Sequence, residues 1–244
     1  DINKAIYYYS LAAKQNFPTA QNNLGMIYAD DNYFMRDINK AIHYFSLAAN
    51  QNYPAAQNNL GLIYSEGKLI EPDINKAVYY FQLAANQNYP AALNNLAYMY
   101  YKGKYIKQDI DKAIQYFTLS AYKNNIEAQY NLGGIYYENQ YDNEDINRAI
   151  HYLSLAANQN YAAAQYLLGM IYYKGKYIKQ DIDKAIHYLS SSANQNYPKA
   201  QLQLGLIYFE DKYITQDINK VIYYFTLAAN QNNKFAQFQL GIFY

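Results

Sequence analysis

Ser120-Ala121-Tyr122-Lys123 reproduces the S-x-x-K spacing, in which a serine nucleophile is paired with a lysine one helical turn away. The spacing stands alone here, without the S-D-N and K-T-G segments that complete such a site. Ser120 also falls in a column of small residues shared with Ser192, where tight packing already explains it. The other candidate chemistry is histidine. His43, His151 and His187 occupy one column, and the last two lie on adjacent repeats. Packed helices sit about 8–10 Å apart, whereas a shared metal needs ligand nitrogens within about 2.1 Å of it. No acid or thiol completes a coordination set, so a solvated helix face is expected and no metal. G-x-G-x-x-G, Walker A and H-E-x-x-H are absent. The residues therefore predict no enzyme, no catalytic group and no cofactor in this segment.

Composition narrows the class further. Twenty basic and nineteen acidic residues nearly cancel, so no general attraction to nucleic acid or to acidic membranes is expected. Cysteine is absent, which excludes disulfides and thiolate metal sites. With no N-x-[ST] sequon either, a cytoplasmic setting is expected. No apolar run reaches the roughly 18 residues of a membrane span. The 34 tyrosines and the missing tryptophan read as coding bias.

What would position any binding group is a repeat. Asp recurs at 1, 37, 73, 109, 145, 181 and 217, a period of 36 that leaves six full units and a 28-residue remainder. A strict period in this range means stacked supersecondary units. In the second unit, Asp37 is suited to cap a helix N-terminus. Ile38, Ala41, Ile42, Phe45, Ala48 and Ala49 then trace one helical face, which Tyr44 and Leu47 widen. Asn52 and its counterparts 16, 88, 124, 160, 196 and 232 fill the left-handed position that ends this helix. Pro18, Pro54, Pro90 and Pro198 open the following helix, where a missing N–H costs nothing. That second helix carries Ala56, Leu60, Ile63 and Tyr64 on one face. Gly61 lies inside it, and its column repeats at 25, 133, 169, 205 and 241, with Ala97 the exception. Mid-helix Gly costs about 1 kcal/mol against Ala, so close backbone approach of the partner helix is the expected compensation. Gly67, Gly103 and Gly175 end the helix, a slot that Asp31, Asn139 and Asp211 fill elsewhere. A lone helix pair cannot bury both its faces, but stacked neighbours can. The predicted fold is all-α: a right-handed α-solenoid of stacked antiparallel helix pairs, one domain over residues 1–244.

These columns resemble the Sel-one-like repeat family, an α-solenoid relative of the tetratricopeptide repeats. One unit reads Ala92, Leu96-Ala97, Tyr100, Gly103, Ile106, Asp109, Lys112-Ala113, Tyr116, Ser120-Ala121, Asn124. The match recurs about seven times. It departs where the family's closing Gly is always Asn, and where the aromatic usually found before the Tyr of the first helix is Tyr, His or Gln. The resemblance implies an adaptor or scaffold that binds a protein or peptide during complex assembly or signalling. It also implies that the second helix of each pair lines the concave side.

On that reading, Asn22, Asn58, Asn94, Tyr130, Tyr166, Leu202 and Phe238 form one partner-facing column. Tyr101, Tyr137, Tyr173 and Phe209 form another, and Tyr98 belongs to the column of residue 26. The face should begin polar and turn aromatic. An Asn ladder suits peptide backbone or a carboxylate, and tyrosines suit protein partners. The bland alternative makes the Asn ladder a solvated face and some of the tyrosines fillers of inter-repeat seams.

Three other functions compete. One is an adaptor of endoplasmic-reticulum-associated degradation. The second is an RNA-binding helical repeat, disfavoured because Lys199 is the only lysine in the partner-facing columns. The third is the repeat region of a kinase or other enzyme whose catalytic domain lies elsewhere. Two kinds of loop contrast in charge: acidic "ENQYDNEDIN" around Asp142, and basic "KGKYIKQ" at 102–108 and 174–180. They read first as solvated tips and second as docking sites. Leu240, Phe243 and Tyr244 end the chain on an apolar face and no Met begins it, so a fragment of a longer protein is expected.

Overall fold

A computed structural model describes residues 1–31, 36–67, 70–138, 143–210 and 217–244. Asn139, Asp142 and Asp211 lie outside them. Among the described residues there are fourteen helices and no strand. Within residues 1–125 and within residues 126–244, consecutive helices pack in antiparallel pairs as stacked solenoid repeats. The chain groups into two compact units, 1–125 and 126–244.

The first unit holds α1 (Ile2–Lys14), α2 (Pro18–Ala29), α3 (Ile38–Ala49), α4 (Pro54–Glu66), α5 (Ile74–Asn86), α6 (Pro90–Lys102) and α7 (Ile110–Tyr122). The second holds α8 (Ile126–Glu138), α9 (Asn143–Asn158), α10 (Ala162–Lys174), α11 (Ile182–Ala193), α12 (Pro198–Phe209), α13 (Ile218–Asn230) and α14 (Lys234–Phe243).

Helix starts follow the Asp column. The carboxylates of Asp37, Asp73 and Asp109 each accept the backbone N–H three residues on at 3.0 Å. Each also meets the ammonium of that same lysine at 3.2–3.6 Å. The backbone bond holds the Asp37, Asp73 and Asp181 carboxyls below their ordinary value, with the lysine adding to it. Asp145 departs from the expected capping role. The helix begins two residues earlier, at Asn143, so Asp145 lies in its first turn, where Arg148 pairs with it and with Glu144.

Helix ends follow the Asn column. All seven closing asparagines hold φ between 58° and 63°. Asn52 N–H donates to Ala49 O at 2.9 Å and Tyr53 N–H to Ala48 O at 3.2 Å, the paired bonds of a Schellman turn. Asn52→Gly should therefore leave stability within a few tenths of a kcal/mol, since Gly accepts this φ freely. Asn52→Val should cost about 1–2 kcal/mol for the left-handed penalty. Urea midpoints of the two variants check both expectations.

In the first unit the mid-helix glycines have a different reason from the one expected. A Cβ on Gly61 would stand 2.6 Å from the Phe81 ring, and on Gly25 2.6 Å from the Phe45 ring. The space is filled chiefly by a side chain of the next helix, not by its backbone. In the second unit Gly133 and Gly169 face Leu153 and Leu189, and there backbone atoms also stand within 3.1–3.2 Å. Gly241 has nothing within 4 Å. Leu47, expected on the buried face, is exposed at its edge.

Two side-chain ladders tie neighbouring repeats inside each unit. Gln51 donates to Gln21 at 2.7 Å and Gln87 to Gln57 at 2.8 Å; Gln21 and Gln57 in turn donate to Ala13 O and Ala49 O. The second unit repeats this at Gln159–Gln129, Gln195–Gln165 and Gln231–Gln201. Residues 93 and 123, which would form the remaining pair, are both changed, to Leu and Lys. The second ladder is aromatic. Tyr28 stacks on Tyr44, Tyr64 on Tyr80 and Tyr100 on Tyr116 at 5.8–6.0 Å. The capping lysines 40, 76 and 112 sit over the first ring of each stack at 5.1–5.2 Å.

Candidate docking face

The expected polar opening of the docking face does not exist as an open surface. Asn22, Asn58 and Asn94 are each only 5% exposed. Asn59 donates to Asn22 Oδ1, and Asn95 to Asn58 Oδ1, both at 3.0 Å. Asn22 and Asn58 are thus rungs of a cross-repeat ladder, each satisfied by an asparagine of the next repeat as a buried amide must be. The adjacent column carried the signal: "QNNL" at 21–24 and 57–60 doubles the Asn, one to accept and one to donate.

Tyr98, by contrast, is open. It stands on α6, 47% exposed, facing α4 across a cleft of about 530 Å³. Leu62 and Ser65 of α4 and Met99 of α6 form its walls with Tyr105 from the following loop. Gly103, at φ 61°, reverses the chain between Lys102 and Lys104 so that both border the cleft. Lys102 Nζ rests 5.4 Å from the Tyr98 ring centroid and 5.0 Å from that of Tyr101, and Lys104 rests 4.6 Å from Tyr105. Tyr101 itself is partly exposed, and its carbonyl accepts from Gln108.

In the second unit most of the predicted tyrosines are seam residues. Tyr130 lies against Tyr161 at 5.3 Å, and Tyr166 against Tyr197 at 5.4 Å. Burial pushes all four phenols above their ordinary value. Tyr137 and Leu202 are partly buried against the repeat cores. Tyr173 donates its hydroxyl to Glu210 Oε2 at 3.2 Å. Phe209 is 37% exposed with its edge on Phe243, and Phe238 is 64% exposed.

Ser120 is buried, and its hydroxyl donates to Pro90 O at 2.7 Å, as Ser192 donates to Ala162 O at 2.8 Å. The three histidines are exposed, each set edge-on to the tyrosine that follows it. Among the described residues no group of three or more His, Asp or Glu side chains is arranged to hold a metal ion. Among them, too, no helix is long and apolar enough to cross a membrane.

Comparison with known proteins follows the repeat. The Sel1 repeat model matches residues 1–17, 18–53, 54–89, 90–125, 126–161, 162–197 and 198–233. A protective antigen of uropathogenic Escherichia coli with an SLR fold is similar at 29% identity and TM-score 0.87, over 97% of this chain and 51% of its own. The chain therefore spans about half the length of that antigen. A Sel1 repeat protein of Oxalobacter formigenes is similar at 27% identity and TM-score 0.80, over 95% of this chain and 100% of its own. An immunity protein of Pseudomonas aeruginosa shares the fold at 21% identity and TM-score 0.55, over 87% of this chain and 81% of its own. No curated protein matches the chain. With the motif running through consecutive helix pairs from residue 1 to 233, this chain belongs to the Sel1-repeat family.

Proposed function

We propose that this chain is a non-catalytic scaffold that holds a peptide or protein segment against the open side chains of its second helices during complex assembly or signalling. Sel1-repeat proteins are generally protein-interaction scaffolds. The observation that carries the reading here is Tyr98: a large aromatic, half out in solvent, beside an apolar cleft. Exposed apolar surface rimmed by polar groups marks docking sites, and tyrosine supplies contact area with few rotors. Met26 occupies the equivalent column two repeats earlier and is also exposed.

Affinity capture compares the wild-type chain with Met26→Asp/Tyr98→Asp. The expected result is at least about a tenfold loss of the specific partner, as for removal of an interface hot spot, with an unchanged helical circular dichroism spectrum. Equal capture by both chains overturns the proposal.

A further inference from the structure

We infer that the cleft between α4 and α6 takes an acidic peptide, seating an apolar side chain among Leu62, Tyr98 and Met99 and a neighbouring carboxylate on Lys102 and Lys104. The inference rests on the docking reading above and names the chemistry of its partner.

Two features of the cleft argue for it. The first is size and lining. A cleft of about 530 Å³ falls within the roughly 300–1,000 Å³ of ordinary ligand sites, which combine apolar walls with a few placed polar groups. The second is charge. Lys40, Lys76 and Lys112 of the same unit are each tied to a carboxylate at 3.2–3.6 Å. Among the described residues, Lys102 and Lys104 have no carboxylate within the 4.0 Å of an ion pair; their ammonium groups rest on tyrosine rings instead. Among the described residues, Glu66 is the one carboxylate that lines the cleft, and it is engaged within the chain. Two cations against one engaged anion leave the mouth complementary to a negative partner. Ring contact also keeps each lysine close to the cleft, so less side-chain freedom is lost when an anion arrives. A protein segment fits better than a nucleic acid. The walls are apolar, and two lysines are too few for the run of phosphate contacts that nucleic-acid affinity depends on.

The test is selection of phage-displayed random dodecapeptides on the whole chain, on Tyr98→Ala and on Lys102→Glu/Lys104→Glu. Both lysines are exposed, so charge reversal leaves the core untouched, and circular dichroism verifies it. Wild-type selections should enrich Asp or Glu beside an apolar residue. A synthetic copy of the leading peptide should bind the lysine variant at least about tenfold more weakly, since two attractions become two repulsions. Peptides with no acidic bias that still lose affinity on Tyr98→Ala would overturn the acidic assignment and keep the docking reading. No enrichment, or equal binding to all three proteins, would overturn both. Single-stranded RNA bound at low salt and released by the lysine variant, with no peptide enriched, would overturn both in favour of a nucleic acid.

Discussion

Phe81→Ala should destabilise the first unit by about 3–5 kcal/mol, the range for removing a buried aromatic. The ring is 1% exposed and fills the space over Gly61. The same geometry sets the response at the glycine. Gly61→Leu on its own should cost about 3 kcal/mol or more, because the added side chain meets ring atoms at 2.6 Å. Joined to Phe81→Ala, the leucine has a cavity to enter, so the double variant should lose less than the sum of the two single losses. A favourable coupling of about 2 kcal/mol is expected in the cycle. Gly61→Ala should be far milder. The chain already holds that combination one repeat on, where Ala97 and Phe117 occupy the same columns and both are fully buried. The helix-propensity gain of about 1 kcal/mol should roughly offset the crowding. Denaturant midpoints at unchanged slope measure the cycle, and amide exchange across α3–α6 localises it, since repeat stability is a sum of neighbour terms. Additive single effects would mean that the ring and the glycine are not partners.

Tyr98→Ala should weaken the selected acidic peptide about 30-fold, a hot-spot loss near 2 kcal/mol, and should barely move the denaturation midpoint. Tyr166→Ala should do the reverse. Tyr166 is half-buried against Tyr197, so its removal opens a seam and lowers stability without a direct effect on the cleft of the first unit. Titration of the peptide by fluorescence anisotropy, beside urea melts of both variants, separates the two roles. Tyrosines in the predicted partner columns thus divide by burial: Tyr98 is open, whereas Tyr130 and Tyr166 hold repeats together.

That division shows what the sequence makes legible. Asp37, Asn52 and Pro54 answer to local backbone needs: a capped amide, a positive φ, a missing N–H. Such needs are read from residue type and position alone, and each is met where the period places it. Exposure is different. Asn58 looks polar and open on its own helix, yet Asn95 of the next repeat covers it and bonds to it. Only a residue 37 positions away decides whether that face is wet. The same holds for Gly61, whose reason is the shape of Phe81 and not a bare backbone contact. The cleft escapes periodic reading for another reason. Leu62 and Tyr98 share one column with Met26 and Gly134, and Lys102 falls in another with Glu66 and Lys174, so the period flags Tyr98 and the basic loop separately without joining them into one cleft. Asp145 misses its capping role because its neighbours start the helix early.

Attachment of the selected acidic peptide, carrying a benzophenone beside its apolar residue, tests the docking assignment most directly. Photolysis with the wild-type chain should place the cross-link at Met99 or on the α4 and α6 residues around it, and the Lys102→Glu/Lys104→Glu chain should lose the adduct. Cross-links confined to the outward tyrosines of the first helices, such as Tyr7 and Tyr79, or unchanged in the lysine variant, would contradict the account.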